Sequence, residues 1–133
     1  MISPKIEKAL NEQINAEMFS AYLYLAMVAY FQDKNLGGFA NWMTVQNQEE
    51  TFHAMKFFRY VSERGGRVTL DAIEKPQFEW ESPLAAMEAA QKHEAYITSR
   101  ITASLIWPSR KRITPRRVSL AGLWMSRWRK RTA

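Results

Sequence analysis

The sequence predicts an all-α protein, a bundle of three long helices with a long crossover between the second and the third. Three observations predict it. Apolar residues recur at three- and four-residue intervals over three separate stretches, which places them on one helical face in each. Each stretch is bounded by capping, glycine or proline signals. The links between them are unequal, short after the first stretch and long after the second, which is the order of a bundle with one crossover.

The first helix is predicted over 4–33. Ser3 followed by Pro4 is an N-cap with proline in the first turn, and Ile6, Leu10, Ile14, Ala21, Tyr24, Val28 and Phe31 carry the apolar stripe. Gly37-Gly38 then breaks the chain. The second helix is predicted over 39–64, with a stripe of Phe39, Met43, Phe57, Tyr60 and Val61 that stops at Gly65-Gly66. Residues 66–82 hold Pro76 and no sustained period, too long a stretch for a turn between neighbours, and are predicted to be the crossover. Ser82-Pro83 repeats the cap signal. The third helix is predicted over 83–105, with Leu84, Met87, Ala90, Glu94, Ile97 and Ile101 on one face.

A fourth helix should follow. Pro108 and Pro115 instead disrupt it, each costing a helix ~3 kcal/mol, so a straight helix through 106–118 is disfavoured and a short basic helix over about 117–131 takes its place. Its Leu120, Leu123, Trp124 and Trp128, with Leu105 and Ile106, are the side chains available to cover the exposed wall of the bundle.

The 133 residues, 47% hydrophobic and 13% aromatic, suffice for one core. Cysteine is absent, which excludes disulfides, thiolate zinc and iron–sulfur clusters and leaves oxygen and nitrogen as the metal donors. No basic leader precedes an apolar run, and no apolar segment nears the ~18 residues that span a bilayer, so a soluble cytoplasmic protein without a membrane partner is expected. The net charge of +6 is unevenly spread. Residues 1–106 carry ten Lys and Arg against all 13 Asp and Glu, net −3, whereas residues 107–133 carry nine Lys and Arg and no acid, net +9. The chain therefore divides into a bundle, residues 1–105, and an aberrant basic segment, residues 106–133.

Charged residues stand where the stripes should be apolar. Leu10, Glu17, Tyr24 and Phe31 are seven apart, so Glu17 lies in line with core positions. On the second helix the inward set is Phe39, Met43, Gln46, Glu50, His53, Phe57 and Tyr60, with Glu50 and His53 three apart and facing one point. Glu94 holds the matching place on the third. Buried carboxylates cost several kcal/mol each unless neutralised, paired or bound to a cation. Lys and Arg of the helices fall mostly near ends or off the stripes, which leaves a metal as counter-charge. Carboxylates with one imidazole suit iron or manganese. Any one of these residues alone reads equally as a solvated pair or a polar wedge; their conjunction on three helices at compatible depth points to a site. Tyr24 reads either as plain core or as a redox-active phenol beside the metals, and His93, rotated about 100° from Glu94, as a surface or interface residue.

Three stretches carry a family resemblance: Leu10–Tyr24 (LNEQINAEMFSAYLY), Gly38–Glu63 (GFANWMTVQNQEETFHAMKFFRYVSE) and Ala90–Glu94 (AQKHE). Over residues 1–101 the chain resembles the bacterial non-haem ferritins. The resemblance implies a ferritin-like fold and a ferroxidase centre, in which Glu17, Glu50 and His53 hold a first iron, Glu50 bridges, and Glu94 holds a second. It implies Tyr24 next to the pair and Glu49 at a third iron site completed by the fourth helix. The implied reaction is oxidation of Fe(II) by dioxygen or peroxide, with ferric oxyhydroxide stored in a homo-oligomeric shell of 24 subunits.

After about Ile101 the resemblance stops: the family continues with an acidic fourth helix, and this chain with SLIWPSRKRITPRRVSLAGLWMSRWRKRTA. The tail reads as the fourth-helix coding region out of frame. Trp107–Lys111 has a synonymous coding whose frame two bases on gives Ala-Ile-Ala-Glu, and Trp124-Met125, with one codon each, places an aspartate codon in that frame. Ser126 and Arg127 then stand where carboxamide and carboxylates should face Glu49, so the third iron site should be absent and activity and shell are both open to impairment. Two other functions compete with the ferroxidase. One is nucleic-acid or polyanion binding by the basic tail with its Trp107, Trp124 and Trp128; the other is a di-iron oxidase or electron-transfer bundle, against which the single Glu-x-x-His argues.

Overall fold

The computed structural model describes residues 1–103, with side chains through residue 100. Three helices run in the order α1 (Pro4–Asp33), α2 (Gly37–Glu63) and α3 (Pro83–Ala103), and there is no strand among the described residues. The chain divides into two compact units, Met1–Ala86 and Met87–Ala133. No helix among the described residues is long and apolar enough to cross a membrane.

In the first unit α1 starts where the cap signal places it. The Ser3 hydroxyl accepts from the Ile6 amide at 3.3 Å, and Pro4 occupies the first helical position, where no amide is needed. The helix ends in a tight reversal made by Asn35, whose φ of 58° is left-handed. Asparagine tolerates that conformation because its short polar side chain adds little steric cost. Here the structure departs from the sequence reading: the chain turns before Gly37-Gly38, and both glycines lie in the first turn of α2, which begins two residues earlier than predicted. At the other end of α2, Gly65 takes φ 78° and the Gly66 amide donates back to the Val61 carbonyl at 2.9 Å, the left-handed helix stop that glycine permits.

The crossover is pinned along α1 rather than left loose. Glu7 accepts from the Arg67 amide, and the Asn11 side chain donates to the Arg67 carbonyl at 3.0 Å while accepting from the Thr69 amide at 2.9 Å. Near the far end of α1, the Tyr30 hydroxyl donates to the Trp80 carbonyl at 3.3 Å and the two rings meet edge to face. From Asn11 to Tyr30 a helix rises about 28 Å, and extended chain from Thr69 to Trp80 reaches at most ~36 Å. The extended crossover is thus long enough to follow α1 between these two anchor points.

α1 and α2 pack antiparallel, with Ile2 bonded to the Arg64 carbonyl at one end and the Phe31 and Phe39 rings 5.4 Å apart at the other. Leu10, Ile14, Tyr24, Met27 and Phe31 are buried from α1, as are Ala40, Met43, Ala54, Phe57 and Val61 from α2. Within α3, Ala86, Met87, Ala90 and Ile97 are buried, but Leu84, assigned to the inner face by its period, is 50% exposed. It sits in the first turn, where the apolar stripe has not yet begun. The end of the third predicted helix at 105, the proline-broken segment 106–118, the short helix over 117–131, the boundary at residue 105 and the basic tail behind the polyanion reading all lie outside the described residues.

Candidate metal centre

Halfway along the first unit the apolar interface gives way to polar side chains. Glu17 of α1 and Glu50 and His53 of α2 each offer one ligand atom, and these atoms lie within 4.8 Å of one another. Glu17 is fully buried and Glu50 is 2% exposed. The His53 side chain is 16% exposed, and its Nδ1 stands 3.9 Å from Glu50 Oε1, one turn away on the same helix. Glu17 faces them because the antiparallel packing brings its turn of α1 level with theirs.

That register has a visible pin. Asn47, three residues before Glu50, donates across the interface to the Ala21 carbonyl at 2.7 Å, and Ala21 is four residues after Glu17. On α1 itself, Gln13 donates to Glu17 Oε1 at 3.3 Å, and Ser20 bonds back to the Ala16 carbonyl at 2.9 Å. Neither Gln13 nor Asn47 stands out in the sequence. The available signal was helical spacing: Gln13 lies one turn before Glu17 and Asn47 nearly one turn before Glu50, on the faces that bear the ligands.

The donor set suits a divalent cation. Two carboxylates and an imidazole supply hard oxygen and borderline nitrogen donors, appropriate to iron or manganese and unlike a closed structural zinc set. Donors held about 2.1 Å from a common ion stand roughly 3.0–4.2 Å apart, so the observed grouping closes on an ion by small side-chain adjustments. No Lys or Arg is buried among the described residues.

The other sequence-derived positions fall as follows. Tyr24 is buried on α1, seven residues beyond Glu17. Glu49 is half-buried and is not part of the group, its side chain turned about 100° from that of Glu50. Glu94 is buried on α3 and belongs to the second unit, as does the half-buried His93.

A family model described as a ferritin-like domain matches residues 7–105. A bacterial non-heme ferritin of Bacteroides fragilis is 42% identical over 103 residues, which is 77% of this chain and 65% of that protein. One from Staphylococcus epidermidis is 39% identical over 100 residues, 75% of this chain and 60% of that one. The chain thus spans somewhat less than two thirds of the length of these curated relatives. Among solved structures, an open pore ferritin from the hyperthermophilic archaeon Archaeoglobus fulgidus matches with a TM-score of 0.89 at 46% identity, covering 95% of this chain and 84% of that one. An engineered closed form of the Archaeoglobus fulgidus ferritin gives a TM-score of 0.90, also at 46% identity, over 95% and 83% of the two chains.

Proposed function

The chain belongs to the ferritin family, and on that premise we propose that it is an iron-storage subunit that oxidises Fe(II) at a di-iron carboxylate site. The observation that carries the reading is the convergence of Glu17, Glu50 and His53 inside an otherwise apolar interface. In this reading Fe(II) is substrate and cargo. Glu17 and His53 hold the first ion, Glu50 is shared between two, and Glu94 serves the second by its match to the family motif. Tyr24 is the neighbouring phenol, able to supply an electron, and Glu49 is what remains of a third site.

The electron balance is simple. Two Fe(II) ions give one electron each to dioxygen, which takes up two protons and leaves as hydrogen peroxide; with peroxide as oxidant, two electrons and two protons yield two waters. The carboxylates favour the products, because their negative charge in a buried setting stabilises Fe(III) over Fe(II). Hydrolysis of Fe(III) then gives ferric oxyhydroxide, held in a homo-oligomeric shell in the cytoplasm. Loss of the fourth-helix ligands removes the third iron site and weakens retention, without touching the α1–α2 ligands.

Anaerobic Fe(II) titration of the chain, followed by admission of air, tests the reading. Uptake of about two iron equivalents per chain is expected for a di-iron carboxylate site, with a broad near-ultraviolet absorbance on oxidation. Glu50→Ala should abolish both. Wild-type uptake no greater than that of Glu50→Ala would overturn the reading.

A further inference from the structure

We propose that Gln13 is a positioning residue for the metal centre, its side-chain amide holding Glu17 so that this carboxylate meets iron through one oxygen rather than two. The inference rests on the reading of the site given above. Gln13 is 5% exposed, and its Nε2 lies 3.3 Å from Glu17 Oε1. Helical side chains lean toward the N-terminus, so the Glu17 carboxylate reaches back over the turn that carries Gln13. The orientation of the amide follows from chemistry. An ionised carboxylate only accepts, so the group presented to it is the NH2 and not the carbonyl.

A buried amide that spends a donor on a ligand carboxylate has two consequences. It makes the two oxygens unequal: Oε1 shares its electron density with the N–H, and Oε2 becomes the better donor to a cation. It also restrains the last torsion of Glu17, which is otherwise broad and would let the group swing between one-oxygen and two-oxygen ligation. Partners of this outer kind set ligand geometry, and their loss typically lowers metal affinity or activity 10- to 100-fold. A glutamine serves where another acid would not, because it adds a donor to a site already rich in negative charge.

Co(II), a redox-stable stand-in for Fe(II), reads this directly, since the intensity of its visible bands falls as its coordination number rises. The test compares the full chain with Gln13→Met, which keeps length and packing and removes the donor. The variant is expected to bind Co(II) about 10–100-fold more weakly, with less intense visible bands as Glu17 turns to chelate through both oxygens, and to keep a cooperative thermal transition when metal-free. Gln13→Asn, one methylene too short to reach Glu17, should reproduce the loss and stands in should Gln13→Met not fold. Wild-type affinity and band intensity in either folded variant would overturn the positioning role while leaving the metal centre intact. A wild-type chain that takes up no Co(II) would overturn both.

Discussion

The α1–α2 interface holds two kinds of layer, and they do opposite things for the protein. Toward either end it is apolar: Leu10, Ile14, Ala54, Phe57 and Val61 on one side, Tyr24, Met27, Phe31, Ala40 and Met43 on the other, all buried. The middle band holds Gln13, Glu17, Ser20 and Glu50, equally buried and polar or charged. Burying apolar area stabilises by roughly 25 cal/mol per Å², whereas burying a carboxylate costs several kcal/mol until a cation arrives. The end layers therefore hold open a band that would not assemble by itself, and the chain accepts that cost where ligands are needed.

The largest effect should come from damaging an end layer. Phe31 is fully buried, meets both the Tyr30 and the Phe39 rings, and is remote in sequence from the ligands. Phe31→Ala should lower the metal-free unfolding free energy by about 3–5 kcal/mol, measured by urea titration, while any protein that remains folded keeps its metal affinity. A loss below 1 kcal/mol would show that the end layers are not what holds the interface together.

The middle band should behave in the reverse way. Glu50→Leu replaces a buried carboxylate by an apolar side chain of similar size, so metal-free stability should stay level or rise. What the variant should lose is the metal-linked increment, about 2.7 kcal/mol for wild type at a free Co(II) concentration a hundredfold above the dissociation constant. Urea titrations with and without Co(II) separate the two quantities. A metal-free Glu50→Leu protein markedly less stable than wild type would mean that the carboxylate is structural, and the contrast between layers would fail.

The same contrast explains what could be read in advance. Helix ends follow from local chemistry, as at Ser3-Pro4 and Gly65-Gly66, where one residue's conformational preference decides the outcome. Glu17, Glu50 and His53 drew attention because charged residues in line with Leu10, Phe31 and Phe57 violate the stripe. Gln13 and Asn47 did not, since an uncharged amide is unremarkable inside a helix: Gln13 finds Glu17 one turn on, and only the register of the two helices gives Asn47 the Ala21 carbonyl. The start of α2 was misplaced because a glycine pair is the stronger turn signal by type, while Asn35 made the turn first. Glu94 was legible on the third helix by the same spacing that marks Met87, Ala90 and Ile97, and it is buried with them.

Asn47 allows the finest division between the two kinds of layer, because it belongs to the band yet carries no charge. Its amide ties α2 to the Ala21 carbonyl at 2.7 Å, within a turn of both glutamates. Asn47→Ala should cost only about 1 kcal/mol, the net value of one hydrogen bond. Ser3→Ala, which removes the N-cap of α1 at the far end of the helix, should cost about the same. If the band is held in register by this bond, the two equally destabilised variants will part company in a Co(II) titration. Asn47→Ala should bind several-fold more weakly, because a sub-ångström slip of one helix on the other moves Glu17 against Glu50 and His53, and Ser3→Ala should bind as wild type does. Equal affinities would place the control of register in the apolar end layers and leave the band with chemistry alone.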